Sequence, residues 1–421
     1  MKQAISKFIS DEVIENIFLK LPAESILRFR CISKYWHSVL SSPRFAASHR
    51  HLNPNQYCLA LVEDDSINIV QYVGLQQNDP VAVFTKKLSF PPTQQIFPMS
   101  WRDNSSSRLF VYSGWKTDLF CSCNGILCID MIGNLHNDET SVYMSDHVTV
   151  LWNPCTNAFR ELPKSGGYPK AATDGILAYL GFVYDSSNND YKVIKVERYF
   201  QDHLRSAIDL FSLKSNTWTS IADDIPYEIC DEAIVINEGM YWLRRDNEAL
   251  NLEMYRMFKM RGNLDFDEEE NEAYLLRIKT REKLFRFDFT TKLIAEIPLP
   301  HMGENYNRDE TQEFASLASD YLSLFTKNGD LWLLKDESWV KHMTIPPISG
   351  VNLMPLFLTE DNSIVTHAYD HAQRSRERPV QVTYDPQKSS FKLYKVHGIQ
   401  HSSRVILYNQ TLVSPSIFEI L

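Results

Sequence analysis

Three cysteines, Cys121, Cys123 and Cys128, fall close together, and clustered thiolates are soft ligands for zinc or copper. Their spacing matches no common zinc pattern, and no pair of histidines lies nearby. Cys121 and Cys123 are two apart, so on a strand they share one face and read as small buried hydrophobes. A second cluster, Asp265, Asp267, Glu268, Glu269 and Glu270, offers carboxylates to a hard cation but lacks the fixed glycine of a calcium loop. It reads as a solvated insertion, or as an arm for a basic target. Arg374, Arg376 and Arg378 form a patch of opposite sign, read as loop contacts to a target or as solubility residues. No nucleophile elbow, phosphate loop or paired-histidine motif occurs, and Ser165-Gly166-Gly167 lacks the strand and helix of a nucleotide site. The expectation is therefore no catalytic residue, no metal and no cofactor.

The elements that must carry these groups differ sharply along the chain. Residues 1–51 hold eight Lys or Arg against four Asp or Glu, whereas residues 52–421 hold 35 against 49. The acidic larger part is a poor match for nucleic acid, whose phosphates need clustered cations, and would steer a basic protein towards it. No run of 18 apolar residues occurs, and the opening residues mix Lys2, Lys7, Asp11 and Glu12, so neither a membrane span nor a secretory signal is expected. Seven scattered cysteines fit a reducing compartment, and the expected location is cytoplasmic, with the nucleus as a further site.

From Phe8 to Phe45 the apolar spacing is helical. Ser10 is placed to cap a first helix with Asp11 and Glu12 in its first turn and Val13, Ile14, Ile17, Phe18 and Leu21 along it. Pro22 ends it. Ile26, Leu27 and Phe29 mark a second helix, Trp36, Val39 and Leu40 a third, and Ser41-Ser42-Pro43 a stop. Helices this short are marginal alone, and about 50 residues make too small a core to stand unaided. Some of these apolar side chains therefore await a partner.

Beyond residue 56 short β-type runs repeat: Val150 to Leu162, Asp209 to Ile221, Phe285 to Ile297, Asp330 to Ile345 and Val382 to Val396. In four of them a large apolar residue recurs seven positions on: Trp152 and Phe159, Phe211 and Trp218, Phe287 and Ile294, Tyr384 and Phe391. The remaining unit reads Leu333 to Trp339. Turn residues between them predict hairpins, and each hairpin follows two more short strands. Four strands per unit, five times over, is the mark of a β-propeller. Tyr57 to Gly74 and Arg404 to Pro415 can each supply two strands to a closing unit. The expected fold is mainly β with a small α module: three short helices over 1–50, then a propeller over 51–421 of about six blades. It becomes seven if residues 81–120 form further strands.

The run Leu21-Pro22, Ser25, Arg28-Phe29, Cys31-Ile32-Ser33-Lys34, Trp36, Ser42-Pro43 and Phe45 resembles the F-box of plant F-box proteins, although the family's opening Leu-Pro reads Ile9-Ser10 here. The segments at Cys123 to Asp130, Leu151 to Pro163, Gly181 to Val196 and Tyr408 to Pro415, with the repeats above, resemble the F-box-associated, kelch-like domain. The resemblance implies a noncatalytic substrate-recognition subunit of a Skp-cullin-F-box (SCF) ubiquitin ligase. Ile9, Val13, Ile17, Leu21, Pro22, Ile26, Cys31, Lys34 and Trp36 are the residues it assigns to the adaptor-binding module, divided between interior and contact. The layout is similar to the S-locus F-box proteins of pollen self-incompatibility, whose implied target is a basic S-locus ribonuclease. An adaptor-independent interaction scaffold and a propeller enzyme are the rival readings.

Overall fold

A computed structural model of the chain describes residues 9–53, most of 57–164 and 175–225, and the strand-bearing stretches between 234 and 416. Four helices come first: α1 (Asp11–Phe18), α2 (Ala23–Phe29), α3 (Lys34–Leu40) and α4 (Pro43–Leu52). Ser10 stands at the start of α1 but its side chain makes no capping bond; its carbonyl accepts from Val13 and Ile14 instead. Ser33 and Ser42 do cap, accepting from the backbone N–H groups of Trp36 and Phe45 at 3.1 and 3.2 Å. The fourth helix corrects the expectation of three. Ser42-Pro43 was expected only to stop α3, yet a capping serine followed by proline at the first helical position also opens a helix.

The strands follow in order. They are β1 (Tyr57–Glu63), β2 (Ser66–Tyr72), β3 (Val83–Ser89), β4 (Ser100–Arg102), β5 (Leu109–Cys123), β6 (Ile126–Asn137), β7 (Val142–Asn153) and β8 (Ala158–Glu161). Next come β9 (Gly175–Asp185), β10 (Asp190–Tyr199), β11 (Arg205–Ser212), β12 (Thr217–Ile225), β13 (Ile234–Ile236), β14 (Gly239–Arg244), β15 (Lys283–Asp288) and β16 (Ile294–Ile297). The last are β17 (Thr311–Leu317), β18 (Tyr321–Thr326), β19 (Asp330–Lys335), β20 (Ser338–Thr344), β21 (Asn352–Leu358), β22 (Ile364–Tyr369), β23 (Val380–Asp385), β24 (Ser390–Lys395) and β25 (Arg404–Asn409).

These strands form five four-stranded sheets and one five-stranded sheet, β4 to β8. The first sheet runs β25-β1-β2-β3, so the last strand pairs antiparallel with the first, from Tyr57↔Asn409 to Val62↔Arg404. Strand β5 lies beside β25 and β9, β9 beside β13, β13 beside β17 and β17 beside β21, the row of inner strands expected of a propeller. Residues 81–120 do form strands, but β3 completes the first sheet and β4 and β5 join the second, so they add no unit of their own. Residues 404–415 give one strand rather than two; beyond Asn409 the backbone runs on without a ladder.

The seven-residue recurrence is a cross-strand register. Trp152 pairs with Phe159, Phe211 with Trp218, Phe287 with Ile294 and Tyr384 with Phe391. The remaining unit pairs Leu334, not Leu333, with Trp339, because Lys335 already opposes Ser338 and the turn is shorter by two residues. Four-residue turns end in Asn157, Asn189, Asn216 and Ser389, all at positive φ between 47 and 57°. That left-handed conformation suits asparagine best after glycine. The residue before the turn ties it: Asn153, Asp185 and Asp385 each accept two backbone N–H bonds from the turn.

Burial raises the Asp185 carboxyl, but hydrogen bonds from Asn188, Lys192 and Ser187 outweigh it and hold the group well below the ordinary carboxylate range. A depressed native pKa stabilises the fold above the unfolded value of about 3.9, and that contribution is lost as pH falls through the native value. Asp185→Asn is expected to lower the melting temperature at pH 7 and to bring it closer to wild type as pH falls below about 4. Melting curves from pH 7 to pH 3 check this; a gap that widens on acidification refutes it.

Candidate docking site

The four helices bury Phe18, Ala23, Ile26, Trp36, Leu40, Phe45 and Ala46 between them. Phe18 sits at the centre, its ring 5.2 Å from Phe29 and 5.1 Å from Trp36. The helix ends are bolted together: Arg30 donates to the Leu40 carbonyl at 3.0 Å, His49 Nε2 lies 2.7 Å from the Leu21 carbonyl, and Asn53 donates to the Leu19 carbonyl at 2.9 Å. Burial lowers the Arg30 guanidinium, so this bond to a carbonyl compensates its partial desolvation.

The core does not end there. Ile126, Cys128, Leu151, Leu180, Phe182, Tyr191, Leu412 and Val413 of the propeller belong to the same apolar cluster. The incomplete core expected from the sequence is therefore finished in part by the chain's own propeller. Cys121 and Cys123 pack against this cluster beside the buried Cys128, and burial pushes the Cys123 thiol up to about 12. Thiols packed this way behave as small hydrophobes, and among the described residues no group of three or more His, Cys, Asp or Glu could hold a metal ion.

What remains uncovered is a stripe on α1 and its approach. Ile9, Val13 and Ile17, spaced i, i+4, i+8, are 59, 48 and 50 % exposed. Phe29, Ile32 and Tyr35, where α2 passes to α3, are exposed as well. The Asp11 carboxylate acts electrostatically on the Tyr35 phenol, so the start of α3 stands near the start of α1. Large apolar side chains clustered on so small a surface mark an interaction site.

The residues expected to divide between interior and contact divide as follows. Ile26 is fully buried and Trp36 nearly so, and both point into the core because α2 and α3 turn those positions towards Phe18 and Leu40. Both shape the face without forming it. Leu21 is half-buried against the core; Pro22, Cys31 and Lys34 are exposed, as are Ile9, Val13 and Ile17. Asp265, Asp267, Glu268, Glu269, Glu270, Arg374, Arg376 and Arg378 lie outside the described residues.

One pairing escapes sequence reading. His147 Nδ1 lies 2.8 Å from Oδ2 of the fully buried Asp130, and Thr149 donates to the other oxygen at 3.4 Å. The register of β6 on β7, with Asp130 opposite Thr149, brings them together, and only knowledge of that register could have exposed it. A buried carboxylate so partnered is compensated.

Comparison with known proteins follows this division. A profile described as F-box domain matches residues 9–47, and one described as F-box associated beta propeller domain matches residues 103–415. Three relatives come from Arabidopsis thaliana. A putative F-box protein is 26 % identical over a match covering 51 % of this chain and 47 % of the relative. A second is 22 % identical, covering 78 % and 68 %, and a further F-box protein is 25 % identical, covering 96 % and 91 %. The chain thus spans about half the length of the first of these relatives and most of the third.

Proposed function

Because the chain belongs to the F-box proteins that carry an F-box associated β-propeller, we propose that it is the substrate-recognition subunit of an SCF ubiquitin ligase. The F-box implies binding to a Skp-type adaptor, and through it to a cullin. The propeller holds the target, and ubiquitin transfer is accelerated by proximity rather than by groups of this chain. In this reading residues 1–50 form the F-box, with α4 running two residues further, and 51–421 form a ring of about six blades. The location that suits such a receptor is cytoplasmic, with the nucleus as a second site; no helix among the described residues is long and apolar enough to cross a membrane.

The observation that carries the proposal is the exposed stripe Ile9, Val13 and Ile17 standing over a core that is already closed. Its occupant is an adaptor with an apolar groove and an acidic rim, matched to the basic balance of residues 1–51. Leu21→Asp disturbs both core and face, because Leu21 packs inward. Ile17→Asp is the cleaner variant. It is expected to weaken binding of the full chain to a Skp-type adaptor about 100-fold, roughly 2.7 kcal/mol, with little change in melting temperature. Calorimetric titration of wild type and variant decides: failure of the wild-type chain to bind, or equal affinity of the two, removes the proposal.

For the target, strand order supports a location. Turns between first and second and between third and fourth strands leave one end of the ring, where Cys123 and Tyr184 meet the helices. Connections from β14 to β15 and from β22 to β23, which carry the acidic run and the three arginines, leave from the other. The target surface in this reading faces away from the F-box, and its acidity favours a basic protein, of which a basic ribonuclease is the narrowest form. Affinity capture with the proteasome blocked tests it; enrichment of acidic proteins alone counts against it.

A further inference from the structure

Hydrophobic burial is non-directional, so the shared core holds the F-box on the propeller without by itself fixing an angle between them. Directional contacts must do that, and among the described residues one set of them gathers around a single side chain. The Arg50 guanidinium in the last turn of α4 lies 5.3 Å from the centroid of the Tyr184 ring, and its Nη1 reaches the Tyr191 hydroxyl at 3.5 Å. That hydroxyl also accepts from Asn124 Nδ2 at 3.0 Å, and the two tyrosine rings pack 4.8 Å apart. Asn124 sits in a two-residue turn with Gly125, at φ 50 and 77°. The turn is held in place because Thr411 donates to the Asn124 carbonyl at 2.7 Å, and a Cβ on Gly125 would collide with Thr411 and the Asn409 carbonyl. On its other side α4 is fastened to the α1–α2 turn through His49 and Asn53.

The last turn of α4 is thus a strut, fastened on one side to the F-box through His49 and Asn53 and on the other, through Arg50, to one sheet directly and to its neighbour by way of Asn124.

We infer that Arg50 is a positioning residue: with Tyr184, Tyr191 and Asn124 it locks the F-box at one angle to the propeller, so that adaptor and target stand in a fixed relation. This rests on the receptor reading for its purpose, but its geometry can be measured without any adaptor. A flat, forked cation can cover one ring and reach a second phenol at once; an ammonium cannot do both.

The experiment uses the full chain with spin-labelled amino acids, not cysteine-directed labels, at exposed Ser38 of α3 and exposed Gln387 in the β23–β24 turn. Pulsed dipolar spectroscopy should give one narrow distance distribution for wild type and a distribution about twofold broader, or a second population, for Arg50→Ala. Arg50→Lys should fall between them, and it carries the test should Arg50→Ala fail to fold. Distributions of both variants that superimpose on wild type overturn the inference. Adaptor affinity of unlabelled Arg50→Ala should stay within about twofold of wild type, since Arg50 faces Tyr184 and Tyr191 and is not one of the exposed apolar residues. If wild type binds no adaptor, the receptor reading falls while the distance result stands on its own.

Discussion

Deletion of residues 404–421 is expected to abolish cooperative unfolding of the chain. The lost strand β25 covers the edge of β1 over six register pairs, and an uncovered edge invites pairing with other molecules. Tyr408 leaves a cluster in which it is buried with Trp152 and Ile129, and Leu412 and Val413 leave the core under the F-box. Asn153, fully buried, loses the Thr411 and Val413 carbonyls to which its amide donates at 3.0 and 2.6 Å. Three buried side chains at roughly 1.5 to 3 kcal/mol each, with a stranded amide at about 1 to 3 kcal/mol, rival the whole stability of a domain, about 5 to 15 kcal/mol. Near-ultraviolet circular dichroism during heating, with size-exclusion chromatography, reads the outcome. A truncated monomer that melts in one transition within a few degrees of full length would show that ring closure contributes little.

Trp152→Ala should be the most damaging single substitution, at about 3 to 5 kcal/mol. Its indole is buried between the first and second sheets, packs against Phe159 across the hairpin, and donates to Asn157 Oδ1 at 3.3 Å. Phe159→Ala, at a half-buried position, should cost clearly less. The urea midpoints of both variants at unchanged slope make the comparison. Equal shifts would mean that the hairpin pair, rather than the contact between sheets, carries the energy.

The repeat was legible because hairpin register is written locally: a large residue, a polar turn with Asn, Asp or Ser, and a second large residue seven on. Sheet membership was not. Nothing in Val83 to Ser89 says that it finishes a sheet begun by β1, since strand order depends on contacts far apart in sequence. The same limit applied to the helices. Their spacing marked Ile26 and Trp36 as important, but whether such a residue faces its own core or a partner is decided by how helices cross. Ser42-Pro43 was ambiguous in principle, because the signals that end one helix and begin the next use the same residues. Arg50 carried no motif at all; its role depends on two tyrosines more than a hundred residues away.

Ring closure by the final strand also bears on synthesis. A ribosome delivers the four helices before Leu412 and Val413, so the nascent polypeptide exposes these helices well before their floor exists. A message cut short, or a stalled translation product, would release helices without that support. In the receptor reading, such fragments should compete poorly for adaptor, leaving it to chains that carry residues 404–415.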